Sequence, residues 1–523
     1  MKRTFLSLLC AVYLLLSLAG CAGGQSGSPP DTNISAVDEY DKANAVSLVF
    51  SDGGVTGSGE GIEVDGTAVT VSKSGAYVLS GTCSDGSIKV KKGTQDVTLV
   101  LSGLSLTSSS TAPITCGKST EVTILALSGT VNELTDSSEN NDETAPANES
   151  AENAVIKCKD GSAVTLCGSG TLNIAALGKN GIKSGATTDE DGEASLTIRG
   201  LTLDITAAVN DAINAEQLLN IESGTLTITA ADDALHCDHV MNVGADGTAG
   251  PSITVTDCYE GLEAADLNIL SGDVTIRASD DCLNAANGDL TGYAFTLMIS
   301  GGSLVMYTTG GDGIDSNGDL TITGGTVIVW TANTADNQPL DADGTIHITG
   351  GTVLAAGGSA GMGMTLEVSQ PYVTYGSGRM GGGFGGQRPD FFDDTSEPPA
   401  MSGGEQNGDR PELPSGQSPD GSTDPPAMPG GAASDSTASA VSIAKGETIT
   451  IQDSDGTVLY SGEAPCSTAY VFFSSAGLTD GASYTLLSGG RSLAEAAATT
   501  EAQSEGFGGG QRPGAMPSGG SAI

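Results

Sequence analysis

One short phrase returns along the middle of this chain and limits what it can fold into. It reads NAVIKC (153–158), KNGIKS (179–184), NDAINA (210–215), DDALHC (232–237), YEGLEA (259–264), DDCLNA (280–285), GDGIDS (311–316) and QPLDA (338–342). Aligned on the central aliphatic residue, the anchors are Ile156, Ile182, Ile213, Leu235, Leu262, Leu283, Ile314 and Leu340, spaced 21 to 31 residues apart. A repeat of that period marks a solenoid, in which each unit stacks on the next because it cannot bury its apolar face alone.

Between the anchors stands a second phrase, two alternating segments around a glycine: LLNIESGTLTITA (218–230), DLNILSGDVTIRA (266–278), TLMISGGSLVMYT (296–308), DLTITGGTVIVWT (319–331) and TIHITGGTVLAAG (345–357). Apolar residues alternating with Thr and Ser over four to six positions predict strands, and the glycines predict turns. Each period then holds about three short strands. The chain is predicted to be all-β: a right-handed parallel β-helix solenoid over 46–365, with an irregular N-terminal cap and a small C-terminal β segment. The hand is the one parallel crossovers favour.

Stacking turns each column of the alignment into a row of side chains about 4.7–4.9 Å apart. The anchors form an inward aliphatic row. Two residues further on stand Cys116, Cys158, Ser184, Ala215, Cys237, Ala264, Ala285, Ser316 and Ala342, all small, and the cysteines among them read as buried hydrophobes rather than redox or metal groups. Two residues before the anchor come Asn180, Asp211, Asp233, Glu260, Asp281, Asp312 and Gln338; one residue after it come Lys183, Asn214, His236, Glu263, Asn284, Asp315 and Asp341. Asn210, Asp232 and Asp280 add a third polar column. Carboxylates at rung spacing repel by about 1 kcal/mol per neighbour in water, and by more where water is excluded. Hard oxygen ligands of this kind suit Ca²⁺. The candidate metal ligands are Asn210, Asp211, Asn214, Asp232, Asp233, Glu260, Glu263, Asp280, Asp281, Asn284, Asp312 and Asp315; the competing reading is a solvated acidic turn.

Residues 1–20 carry a basic start, an apolar run and then LAGC (18–21), which resembles a bacterial lipobox. The expectation is a lipoprotein signal peptide at 1–20, lipidation of Cys21, a flexible tether at 21–45 and a location on the outer face of the cell membrane, held there by lipid. With 64 acidic against 20 basic residues and a formal charge of −44, nucleic acid is excluded as a partner. The acidic stretch 136–152 is expected to be a loop that interrupts the stack without ending it. Beyond the repeat, 366–439 reads as a disordered Gly/Pro/Ser-rich linker or insert, 440–490 as a small β module or a C-terminal cap, and 491–523 as a disordered tail.

The phrases ADDALH, YEGLEA, SDDCLNAANGD, GDGIDSNGDLTITGGTV and LDADGTIHITGGTVLAAG resemble those of clostridial-type carbohydrate-binding domain-containing proteins. The resemblance covers roughly 46–365 and 440–490. It implies a calcium-binding parallel β-helix for plant cell-wall polysaccharide, similar to family 9 pectate lyases. Those lyases hold calcium with a D-D-x-x-D phrase, matched here in part by Asp232–Asp233 with His236, Asp280–Asp281 with Asn284, Asp312 with Asp315, and Asn210–Asp211 with Asn214.

The leading functional expectation is calcium-dependent binding of an acidic, pectin-like polysaccharide, since an ion reconciles an acidic protein with a polyanion. Tyr259, Tyr307 and Trp330 are the candidate sugar platforms, and Tyr293 is a further aromatic of the repeat. Two alternatives stand beside it, a polysaccharide lyase and a structural adhesin or spacer stiffened by calcium. β-Elimination needs a base able to be neutral, and the one candidate in the acidic columns is Lys183, which neighbouring acids would keep charged. The protein is therefore expected not to be an enzyme.

Overall fold

The computed structural model describes residues 38–332, 337–358, 365–376 and 441–504. The expected signal peptide, Cys21, the first part of the tether, most of the linker and the end of the tail lie outside the described residues. Among the described residues every regular element is a strand. Thirty-four strands join one large, mostly parallel sheet, and four more form a separate antiparallel sheet.

Strands pair with counterparts one repeat away rather than with their neighbours in sequence. Ile114–Cys116, Ala154–Cys158 and Asn180–Ser184 hydrogen-bond in parallel as one row. Glu121–Ala126, Ala163–Gly168 and Ser195–Arg199 form a second. Val131–Thr135, Thr171–Ala176 and Thr202–Ala207 form a third. In the later repeats Leu235–Val243 and Leu262–Ile269 run on from the first row into the second, with a register shift between Cys237 and Val240. The acidic stretch 136–152 leaves the stack and returns, so that Ile156 still pairs with Ile114. It is held by Asp136, which accepts from the Leu177 and Gly178 amides at 2.6 and 3.1 Å, and by Asn140, which donates to Asp136.

The anchors pair in the expected register from Ile156 through Ile314, each against the next. The row also begins two repeats earlier, with Ile88 against Ile114. Comparable rows line the other strands: Leu166, Ile198, Ile221, Val243 and Ile269 in the second, and Ile174, Ile205, Ile228 and Val255 in the third. All belong to one continuous apolar core. Burying each such side chain stabilises the fold by about 1.5–3 kcal/mol. At Gly261 the position before the anchor lies against the next repeat, where a Cβ would stand 2.2 Å from the Cys282 carbonyl oxygen. Cys116 and Cys158 are register neighbours, and both are free buried thiols.

At the other end the chain is ordered further than its composition suggests. Thr365–Val368 and Tyr372–Tyr375 are strands inside the stretch expected to be linker, and Arg491–Ala497 is a strand inside the expected tail. Thr448–Asp453, Val458–Glu463, Ser483–Ser488 and Arg491–Ala497 make the small antiparallel sheet, while Tyr470–Ser475 joins the large sheet antiparallel to Thr352–Gly357 and Tyr372–Tyr375. A second core forms between them, holding Trp330, Leu354, Tyr375, Ile449, Ile451 and Phe473. The last residues of the expected tether are also docked. Asp38 accepts from the Ser169 amide at 3.0 Å, and Tyr40 packs on an outer cluster of Val100, Leu125 and Cys167.

Candidate functional site

Pairing in register lays the polar columns side by side along one face. The row one residue after the anchor runs Lys89, Thr115, Lys157, Lys183, Asn214, His236, Glu263, Asn284 and Asp315. The row two residues before it holds Asp211, Asp233, Glu260, Asp281 and Asp312, of which Asp211 and Asp233 are buried and the rest half-buried. Main-chain amides tie this acid row together: Asp233 N–H donates to Asp211 at 3.2 Å, Asp312 N–H to Asp281 at 2.5 Å, and Gln338 N–H to Asp312 at 2.5 Å.

The carboxylates gather into three groups, each offering ligand atoms within 4.8 Å of one another: Asp211, Asp232 and Asp233; Asp233, His236 and Glu263; and Asp312, Asp315 and Asp341. The middle group already contains its own cation. His236 Nδ1 lies 3.0 Å from Asp233 and 2.8 Å from Glu263, and Nε2 lies 2.9 Å from Asp238. Burial opposes the charge on His236, but those three carboxylates outweigh it and raise the imidazole far above its ordinary value. Cys237 turns inward and His239 meets the Glu216 carbonyl oxygen instead, so the three neighbours share no ligand set.

The upstream group shares Asp233 with that imidazole, and the downstream group has no such partner among the described residues. Burial, reinforced by like-charged neighbours, pushes Asp233 up to about 7, Glu260 to about 8, Asp281 and Asp312 to about 7 and Asp315 to about 6. Burial also raises Asp211 and Asp341. Amide side chains fill part of the demand. Asn214 donates to Asp211 at 2.6 Å, Asn284 to Glu260 at 3.0 Å, and Gln338 to Asp341 at 3.1 Å, while Asn210 donates to Asn180 at 2.8 Å. Two amide oxygens in the same rows, Asn284 Oδ1 and Gln338 Oε1, are buried without a hydrogen-bond partner. A buried acceptor left unmet costs about 1–3 kcal/mol, and an oxygen facing carboxylates can be satisfied by a cation.

Among the aromatic candidates, Tyr259 is 47% exposed beside the acid row, and the neighbouring Asp280 carboxylate raises its phenol to about 12. Tyr307 is half-buried under the Arg277 guanidinium, 5.3 Å from the ring centre. Trp330 is only 3% exposed and belongs to the second core, so it is a packing residue and not a sugar platform. Its strand, TVIVWT, is apolar on both faces because the C-terminal module covers the outer one. Tyr293 is 37% exposed, donates to Asp266 at 2.6 Å and packs against Phe295. Lys183 reaches Glu216 at 3.5 Å.

Three residues of the site stand outside the candidate ligands, although Asp341 and His236 belong to the column after the anchor. His236 compensates charge between two repeats, Asp341 completes the downstream group, and Lys157 continues the row of Lys183. The Ile-Lys pair shared by SIKV (87–90), NAVIKC and KNGIKS is the signal that aligns Lys89, Lys157 and Lys183.

A family model described as carbohydrate-binding domain-containing protein matches residues 65–361. A protein of the same description from Acetivibrio thermocellus is 32% identical over 183 residues, which is 34% of this chain and 59% of that relative, so less than two thirds of its length is spanned. A solved structure described as the polysaccharide lyase-like protein from C. thermocellum, gadolinium derivative, aligns over 58% of this chain and 96% of its own at 22% identity, with a TM-score of 0.35. With more than half of its length matched by the family model, this chain belongs to the carbohydrate-binding domain-containing proteins.

Proposed function

We propose that this protein is a surface-tethered binding module for an acidic polysaccharide, that calcium held in its acid rows mediates the binding, and that its stack coils as a right-handed parallel β-helix. Pairing between strands one repeat apart supports the coil. The LAGC sequence supports the tether. One observation carries the metal: Asn284 Oδ1 and Gln338 Oε1 are buried and unpartnered among carboxylates that burial has made costly to ionise. The donor set is carboxylate and amide oxygen, with the one imidazole already engaged, which favours a hard cation such as Ca²⁺ over zinc. Asp211, Asp232 and Asp233 would hold an upstream ion, and Asp312, Asp315 and Asp341 with Gln338 a downstream one. Such an ion shares its remaining positions with uronate carboxylates, and Tyr259 stands exposed beside the row to take a sugar face.

Calorimetric titration with polygalacturonate, in calcium and in chelator, tests this reading. Binding is expected in calcium only, and the Asp312→Asn, Asp315→Asn double variant, which removes two of the three downstream carboxylates, should weaken calcium and glycan together. Full pectate affinity in chelator would overturn it.

Cleavage is the second reading, and one observation favours it. Burial, and then the neighbouring Lys183, push the Lys157 amine below its ordinary value, towards the neutral form a base requires. Lys157 lies two repeats from Asp211, with Lys183 between, so binding without cleavage is the reading we adopt. Unsaturated uronate absorbance on polygalacturonate, lost in Lys157→Ala or Lys183→Ala, would reverse that choice.

A further inference from the structure

The row one residue after the anchor changes sign along its length. It begins with Lys89, Lys157 and Lys183, passes through Asn214 and His236, and ends in Glu263, Asn284, Asp315 and Asp341. The acidic half is the proposed cation site. The basic half has no role in it, although it lies on the same face and in the same register.

Lysines are scarce here, with 20 basic residues against 64 acidic ones, and those around this region are nearly all paired. Lys92 and Lys118 share Asp191, Lys159 meets Glu152, and Lys179 meets Glu143. Lys183 reaches Glu216 at 3.5 Å. Of the lysines here outside these pairs, Lys89 and Lys91 are exposed to water, and Lys157 is the one withdrawn from it. It is half-buried, and among the described residues no carboxylate lies within ion-pair distance of its ammonium. Its register neighbour in the row is the second ammonium, Lys183, one rung away. Two like charges held at rung spacing, one of them unpaired and partly out of water, make a place where a bound anion lowers the energy of the free protein. The depressed amine of Lys157 agrees, since an anion beside it would remove the repulsion from Lys183.

We propose that Lys157 and Lys183 form a carboxylate-binding subsite that grips one uronate of a polyuronate chain lying along the stack, while the metal-bearing acid rows grip another. The proposal rests on the acidic-glycan reading above. The repeat of Asn214 and Asp211 follows that of Lys183 directly, so the two grips are separated by a few rungs of about 4.8 Å. The ligand is a carboxylate displayed on an extended polymer; a neutral glycan or a methyl-esterified uronate offers these lysines no charge. The face is polar in both senses, cationic at one end and cation-binding at the other, so it holds the same polyanion by direct ammonium contact and through an ion.

The test titrates a galacturonate oligomer and its methyl ester into wild type, Lys157→Gln, Lys183→Gln, the Gln double variant and Lys157→Arg, in calcium and in chelator. Calcium affinity is measured separately without glycan, and melting curves check folding. In calcium, each Gln variant is expected to bind the oligomer about tenfold more weakly, the change of one charge-assisted contact, with calcium affinity and melting temperature unchanged. Lys157→Arg should retain the affinity, and the ester should not distinguish the variants from wild type. Wild-type oligomer affinity in the folded Gln double variant would overturn the subsite. Binding that survives chelator but still falls in Lys157→Gln would overturn the calcium reading and leave the subsite standing. A wild type that binds no oligomer in either condition would overturn both.

Discussion

Replacing Asp281 by Asn should stabilise the protein in chelator and destabilise it in calcium. Asp281 is half-buried, and its oxygen accepts the Asp312 amide at 2.5 Å, a bond an Asn side-chain oxygen can also accept. Burial first, then the charges of Asp312, Asp315 and Asp280, raise its acid from 3.8 to about 7. A folded-state value above the unfolded one means that the folded protein holds the proton more tightly. The associated stability is therefore complete below about pH 4 and is lost as pH rises through 7. At about 1.4 kcal/mol per unit, three units set an upper bound of about 4 kcal/mol at pH 8, and partial exposure with coupling to its neighbours brings the expected penalty nearer 2 kcal/mol. Asn carries no such penalty. Melting by circular dichroism should thus show Asp281→Asn a few degrees above wild type at pH 8 in chelator, and equal to it at about pH 4 or below. Excess calcium stabilises whatever binds it by mass action, about 2.7 kcal/mol at a hundredfold excess over the dissociation constant; loss of the Asp281 charge beside Asp312 and Asp315 weakens the ion proposed there and should reverse the order at pH 8. A variant less stable than wild type in chelator at pH 8 would refute the account of a row strained by its own charge.

The downstream group predicts that Asp341→Asn, which removes one of three clustered carboxylates, abolishes one step of a calcium titration and spares the step due to Asp211, Asp232 and Asp233. A titration identical to wild type would count against two sites. Trp330 and Tyr259 should behave oppositely: Trp330→Ala should cost about 3–5 kcal/mol of stability in denaturant melts with glycan affinity unchanged, and Tyr259→Ala should weaken glycan with little change in stability. Equal effects of both on binding would contradict the burial of Trp330 beneath the C-terminal module.

The repeat was legible because a stack demands the same kind of residue at the same inward position in every unit. Ile156, Ile182 and Ile213 align by letter and pair by hydrogen bond for one reason, the shared core. Ile88 was harder to place because SIKV lacks the acids that mark the later phrases. What a periodic reading misses is contact between elements far apart in sequence. Trp330 looks like an exposed platform by alternation, yet Ile451 and Phe473, more than a hundred residues later, cover it. Tyr40 and the strand Tyr372–Tyr375 likewise gain their order from distant partners, in stretches whose composition is that of a linker. The acids at 233 and 263 were visible as members of columns, but the imidazole of His236 shared between them is a relation across two repeats that no single phrase contains.

A parallel stack has no natural last member: whatever strand ends it presents a row of unpaired amides and carbonyls that fits another strand as well as its own neighbour did. Here the strand Tyr470–Ser475 lies antiparallel across that end, between Thr352–Gly357 and Tyr372–Tyr375. Both edges of that strand are taken, one by Thr352–Gly357 and the other by Tyr372–Tyr375, so a further copy of the parallel phrase cannot add directly to Thr352–Gly357. The C-terminal module therefore closes this row of the stack from within the same molecule, with a strand that follows it by more than a hundred residues.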